Sequence, residues 1–237
     1  EPYQDHLGWL DGQPRVRIYA DCAAAITDGA PDSTMIVLAV KPQMMDEAIA
    51  ALGALAHDQC AFLSIAAGIS TGWLKQWLVD QAVVMRAMPN TPAAVGKGIT
   101  ALFADAPQRV RDLATQLLTA VGQVVHLQDE GLMDAVTAVS GSGPAYVFLL
   151  VEAMSTAGIK AGLPDDLAKE LAMATVCGAV ALMAAVDTPP SVLRENVTSK
   201  GGTTAAALAV LMADDGLEAL MTKAVAAAKA RSIALGN

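Results

Sequence analysis

The sequence has little of what most catalytic sites are built from. Among 237 residues there are only three histidines and three cysteines. Cys22, Cys60 and Cys177 lie far apart, with no C-x-x-C pair and no metal-ligand spacing. A sparse, odd count reads as free thiols in a reducing compartment, packed as small hydrophobes, and not as a disulfide framework or a metal site. His6, His57 and His126 are scattered, and no Ser-His-Asp set can be assembled around them. Positive charge is also scarce: 15 Lys and Arg face 24 Asp and Glu, for a net charge of −9. No basic stripe forms, so a nucleic-acid partner is not expected. The most apolar run, Leu171 to Val186, is shorter than the ~20 residues a bilayer core needs and is bracketed by Glu170 and Asp187. It reads as a buried helix, and no membrane partner is expected. The opening Glu1, Asp5 and His6 do not resemble a signal peptide, which points to the cytoplasm.

What the chain does have is small apolar residues. Hydrophobic residues make up 54% and aromatics only 4%, with Ala throughout, a composition that suits closely packed helices. The first half alternates two kinds of segment. Short β-rich or apolar runs at residues 15–19, 35–40, 60–65, 83–88 and 123–127 are separated by helix-like stretches at 21–27, 44–56, 71–79 and 110–121. Continuous apolar runs fit strands buried on both faces, and the alternation predicts βαβ units with a parallel sheet. From Glu130 onward almost every segment is helical. It is punctuated by Gly141-Ser142-Gly143-Pro144, Gly162-Leu163-Pro164, Pro189-Pro190 and Gly201-Gly202, and Pro144 suits the first turn of a helix. The predicted boundary lies near Asp129, giving an α/β domain over 1–128 and a helical domain over 129–237. Several of the later helices, such as 172–186, are apolar nearly all round. A helical domain of this size cannot hide that surface alone, so an extensive self-association interface is expected. Met173, Met183, Met212 and Met221 read as core fillers, and Glu152 as structural.

Two kinds of candidate site stand out. Ala39-Val40-Lys41-Pro42 and Ala66-Ala67-Gly68 end buried strands, where open α/β sheets bind ligands. Lys41 there either meets a phosphate or ribose or faces solvent. Ser199 to Thr204 is polar and Gly-rich and runs into a predicted helix over 205–213. Free N–H groups and hydroxyls at a helix start suit a carboxylate, and an ordinary N-cap by Thr203 or Thr204 is the alternative.

Five segments then carry a resemblance: Ala39-Val40-Lys41-Pro42-Gln43, Ser64-Ile65-Ala66-Ala67-Gly68, Arg86-Ala87-Met88-Pro89-Asn90-Thr91-Pro92, Ser140-Gly141-Ser142-Gly143-Pro144-Ala145-Tyr146 and Asn196-Val197-Thr198-Ser199-Lys200-Gly201-Gly202-Thr203-Thr204. In this order and spacing the chain resembles the pyrroline-5-carboxylate reductases. The resemblance implies a Rossmann-type domain followed by an all-α dimerisation domain. It implies reduction of 1-pyrroline-5-carboxylate to L-proline with NADPH or NADH, in a dimer or higher homo-oligomer. It assigns the substrate carboxylate to Ser199, Gly202, Thr203 and Thr204, with the Thr204 hydroxyl at the imine nitrogen and Asp187 near the substrate. It places the cofactor against Ala39, Val40, Lys41, Pro42, Ala66, Ala67, Gly68, Pro89 and Asn90, with Met88 and Thr91 bordering the nicotinamide pocket and Asn196 on its nicotinamide side. Asp21 and Cys22 fall near where relatives contact adenine through Asn.

Two departures accompany the resemblance. The family begins with a strand and G-x-G-x-M-G, a βα unit of roughly 30 residues, and nothing similar precedes Arg15. The Rossmann-type domain is therefore expected to be incomplete, its first βα unit missing, with weakened cofactor binding. A piece of a longer chain is the plainest account, and a naturally shortened protein the other. Lys200 stands where the family usually has Pro, which loosens the loop and adds a positive charge. Two rival readings are weighed. A related β-hydroxyacid-dehydrogenase-like enzyme would need a catalytic lysine with Asn four residues on; Lys160 is followed at that spacing by Pro164. A non-catalytic dimerising remnant is the second.

Overall fold

The computed structural model describes residues 13, 14, 16–19, 21, 24, 35–53, 60–78 and 82–236. They fall into two compact units. One takes the described part of 1–141 together with 230–236, and the other takes 142–229.

The first unit is built on a five-stranded sheet in the order β1-β2-β3-β4-β5: β1 Met35–Leu38, β2 Ala61–Ser64, β3 Val83–Met88, β4 Gly98–Ala104 and β5 Gly122–Leu127. The first three strands run parallel, in register Leu38 to Ser64 to Arg86. Helices α1 Met45–Gly53, α2 Thr71–Lys75 and α3 Gln108–Thr119 complete the winding. Alternation along the strands feeds two cores. Phe62 and Val84 join Leu38, Met45, Ile49 and Leu74 on one face. Leu63, Met85 and Ala87 join Leu102, Ala114 and Leu118 on the other. A sheet covered on both faces accounts for the uninterrupted apolar runs.

The sheet is mixed, which corrects the expectation of parallel strands throughout: β4 pairs antiparallel to β3, with Arg86 opposite Phe103, and β5 lies parallel to β4. The connection from Met88 to Gly98 holds only a 3₁₀ turn, Thr91–Val95. That is too short for a crossover, so the chain must turn back on itself. Residues 16–19 form neither helix nor strand. Of the predicted helix 21–27, only Asp21 and Ala24 are described; the Asp21 carboxylate accepts from the Ala24 N–H at 2.8 Å. Cys22, His6 and His57 lie outside the described residues.

Helix α2 starts on a side-chain cap: Ser70 Oγ accepts from the Trp73 N–H at 3.0 Å. Ser70→Ala is expected to cost about 1 kcal/mol and Ser70→Gly only a few tenths, measured as the shift in urea midpoint at constant slope.

The helical part comprises the short α4 Met133–Val136, a π-helical turn Thr137–Gly141, α5 Gly143–Lys160, α6 Asp165–Ala185, α7 Pro190–Asn196, α8 Thr203–Leu211 and α9 Leu217–Leu235. Pro144 sits in the first turn of α5, as predicted. Helix α6 begins before the apolar run. Both it and the stretch 130–160 are long and apolar enough by length and composition to cross a membrane, so length does not exclude a span as the sequence reading held. In the single chain these helices are not buried on all sides. Phe148 is 61% exposed and Leu182 51%, and Met173, Met183 and Met212, read as core fillers, are exposed as well.

Candidate active site

The loops that end β1, β2 and β3 lie side by side. The Ile65 N–H donates to the Leu38 carbonyl at 3.1 Å, tying the ends of β1 and β2. Ala39 and Val40 then lead to Lys41, whose extended backbone opens a 3₁₀ turn starting at Pro42, closed by Met44 N–H to Lys41 O at 2.9 Å. Lys41 is exposed. In the second loop Ala66 and Gly68 are buried and Ala67 packs against the cluster containing Met88. The loop turns on Gly68, whose φ of +79° favours glycine. Its start is held by Ser64, fully buried, whose Oγ accepts from the Ala66 N–H at 3.3 Å. Pro89 and Asn90 follow β3. The Asn90 Oδ1 accepts from the Ile99 N–H at 2.9 Å and its Nδ2 donates to Ser140 Oγ at 3.4 Å. Its amide thus bridges the two sides of the β3–β4 reversal and the π turn. Exposed Ala39 and Lys41, with the partly exposed Val40, Pro42 and Ala67 beside them, leave a surface of small side chains and one cation that fits a flat dinucleotide with phosphates.

Sequence reading missed the polar centre of this unit. Arg86 is 4% exposed on the middle strand, and its Nη1 donates to Glu130 Oε1 at 3.2 Å. The same carboxylate accepts from the Thr71 N–H at 2.8 Å and from Thr71 Oγ1 at 2.5 Å. Glu130 therefore joins β3 to the first turn of α2, just beyond the Ala66–Gly68 loop. Arg86 Nε and Nη2 are buried and have no hydrogen-bond partner among the described residues. The signal was available: an arginine within the apolar run 83–88 must either leave the sheet or find an acid.

The carboxylate candidates lie in the helical unit. Asp187 is exposed in the connection between α6 and α7, and Asn196 is the exposed last residue of α7. Two bonds then fold the chain back: Thr198 Oγ1 to Arg194 O at 2.6 Å and Thr198 N–H to Glu195 O at 2.9 Å. Ser199 to Gly202 is a tight turn closed by Gly202 N–H to Ser199 O at 3.0 Å. A Cβ on Gly202 would meet Ser199 Oγ and force that hydroxyl to rotate away. Gly202 is the N-cap of α8, with extended backbone and no capping side chain. Thr203 and Thr204 fall inside the first turn, so neither hydroxyl is the N-cap that the alternative reading required. Their N–H groups belong to the set with no intrahelical acceptor. Thr204 is half-buried, while Ser199, Lys200 and Thr203 are exposed. A cleft of about 840 Å³ in this unit, lined by Arg194, Leu208, Met212 and Met221 among others, touches none of these residues. A smaller one of about 350 Å³ includes Thr198 and Ala205, on either side of the turn.

Comparison with known proteins gives one answer from three directions. Residues 130–235 match the family model for pyrroline-5-carboxylate reductase dimerisation. The chain is 42% identical to the pyrroline-5-carboxylate reductase of Pseudomonas aeruginosa over 92% of this chain and 80% of that one. It is also 42% identical to that of Synechocystis over 100% of this chain and 86% of that one. Among solved structures, a pyrroline-5-carboxylate reductase from Coxiella burnetii superposes with a TM-score of 0.79 at 36% identity, covering 86% of this chain and 76% of that one. The Plasmodium falciparum pyrroline carboxylate reductase with NADP bound superposes with a TM-score of 0.77 at 31% identity, covering 86% and 77%. With a mixed, doubly wound sheet, a helical dimerisation region and relatives of this similarity over most of its length, the chain belongs to the pyrroline-5-carboxylate reductase family of oxidoreductases.

Proposed function

We propose that the chain reduces 1-pyrroline-5-carboxylate to L-proline with NADPH or NADH, the last step of proline biosynthesis, as a cytoplasmic dimer or higher homo-oligomer. The observation that carries this reading is the Ser199–Thr204 turn: a glycine-capped helix start with two threonines in its first turn and no side-chain hydrogen bond capping it. Amides and hydroxyls in that arrangement suit the one permanent anion of the substrate, its carboxylate. In this reading residues 1–128 hold the dinucleotide, and 129–237 hold the substrate and the contacts between subunits.

The reaction adds hydride to C5 of the cyclic imine and a proton to its nitrogen, so the C=N double bond becomes a C–N single bond. The nicotinamide cofactor, when bound, supplies the hydride. The residues of the chain orient the reactants, and orientation can supply much of the rate without a strong base. Ser199, Gly202 and Thr203 grip the carboxylate. The Thr204 hydroxyl meets the imine nitrogen, where it steadies the charge that changes during reduction. Asp187 flanks the substrate. Lys41 offers a cation to cofactor phosphate, Ala39, Val40 and Pro42 lie beside it, and the Ala66–Gly68 loop, of which Ala67 is the partly exposed residue, forms the neighbouring wall. Pro89 and Asn90 shape the nicotinamide end, with Asn90 held by its two hydrogen bonds, and Asn196 is the residue of 129–237 assigned to the cofactor.

Thr204→Ala is expected to lower kcat/KM for pyrroline-5-carboxylate about 100-fold. Thr204→Ser, which keeps the hydroxyl, should stay within about tenfold of the parent. The assay follows NADPH oxidation, with circular dichroism to confirm the fold. Equal rates for Thr204→Ala and the parent would sink the assignment.

A further inference from the structure

One backbone contact of the sheet unit has no part in that mechanism. Helix α9 runs to Leu235, and its last turns belong to the sheet unit although the rest of the helix does not. There Ser232, buried, donates from Oγ to Asp134 Oδ1 at 2.6 Å. Beyond it the Gly236 N–H folds back onto Ile233 O at 3.1 Å. This brings the Leu235–Gly236 peptide against Gly68. A Cβ placed on Gly68 would lie 3.1 Å from both Gly236 N and the Leu235 carbonyl carbon. A Cβ placed on Gly236 would collide with the Gly68 carbonyl oxygen. The two glycines stand backbone to backbone, with a hard clash awaiting a side chain at 236 and a tight contact one at 68.

We propose that Leu235–Gly236 is a strap that sets the position of the Ala66–Gly68 loop for the dinucleotide, with Gly236 as its positioning residue and the Ser232–Asp134 bond as its anchor. The proposal rests on the reading of Ala66–Gly68 as a cofactor loop. The atom that a side chain at 236 would strike is a main-chain carbonyl, which cannot rotate aside as a side chain could. Where the strap holds its place the loop itself must then move, and the loop is what the cofactor would touch. The anchor makes the contact durable: with Ser232 bonded to Asp134, the strap does not simply swing away when crowded.

The test compares the full chain with Gly236→Ala, Gly236→Val and Ser232→Ala. Two readouts are taken: the Kd for NADPH by fluorescence titration, and hydrogen exchange of the peptide 61–74 without cofactor. Gly236→Val is expected to raise the Kd about tenfold and to speed exchange in the loop, with Gly236→Ala and Ser232→Ala changing both less and in the same direction. The thermal midpoint and the KM for pyrroline-5-carboxylate should move little. Ala67→Leu, which crowds the loop directly, separates the two ideas. If Ala67→Leu weakens NADPH binding and Gly236→Val does not, the strap is wrong and the cofactor loop stands. If neither changes the Kd, the loop reading falls and takes the strap with it. A Gly236→Val protein that loses thermal stability while its exchange at 61–74 and its Kd are unchanged also overturns the proposal.

Discussion

Glu130→Ala is expected to destabilise the protein by about 3–5 kcal/mol, the cost of leaving a buried charge without its partner. Arg86 is nearly inaccessible, and Glu130 Oε1 is its acceptor at 3.2 Å. The substitution also strips Thr71 of acceptors for its N–H and its hydroxyl, freeing the first turn of α2. Because the fault is an orphaned cation, removing the cation should repair part of it. Arg86→Met combined with Glu130→Ala should be more stable than Glu130→Ala alone, a non-additivity that urea unfolding of the four proteins would measure. The repair should be incomplete, since the double variant still lacks the acceptors for Thr71. Additive effects would show that the two side chains do not interact. The position of Glu130 also gives an effect on function: α2 begins right after the Ala66–Gly68 loop, so NADPH affinity should fall with stability.

The second large effect concerns association. Phe148→Glu with Leu182→Glu is expected to convert the oligomer to monomers, seen as a fall in mass by light scattering. Both side chains are more than half exposed in the single chain, on helices that are apolar around most of their circumference. Apolar surface this extensive is the mark of an interface. Each side chain contributes roughly 1.5–3 kcal/mol when buried, and a buried unpaired carboxylate adds several more. Counted over the four side chains of two subunits, the lost burial alone is on the order of 10 kcal/mol, comparable to the whole free energy of a nanomolar dimer, and the carboxylates add to it. An unchanged mass would place the interface on another surface of the helical unit.

The parts of the fold that were legible in the sequence are those governed by local periodicity. Strand β3 runs over Val83–Met88 as its apolar run predicts, and α5 opens at Gly143 with Pro144 in its first turn. What stayed hidden depends on partners distant in sequence. Gly98–Ala104 has the same apolar character whether it runs parallel or antiparallel, and only the shortness of the 89–97 connection decides its direction. Asn90 is assigned to the cofactor by the resemblance alone, and nothing local announces the two internal partners of its amide, one of them Ser140. Of the Ser199–Thr204 site, the turn and the helix start were visible in the glycines. That Gly202 and neither threonine is the cap depends on backbone angles that composition does not encode. The approach of Gly236 to Gly68 has no local signature at all, since both are glycines in ordinary places.

The last turns of α9 also give the molecule a history. The sheet unit includes residues 230–236, yet the whole of 142–229 is synthesised before them. Chains emerge from the ribosome N-terminal end first. The strands of this unit can therefore assemble while the helical segment is still being made, but Ser232 cannot reach Asp134 until that segment is complete. Closing so long an excursion adds little to the equilibrium cost, which grows only with the logarithm of length, but contacts of this separation form slowly. A nascent chain thus carries a sheet whose loop at Gly68 lacks its backing until synthesis has passed Gly236, and that loop matures last.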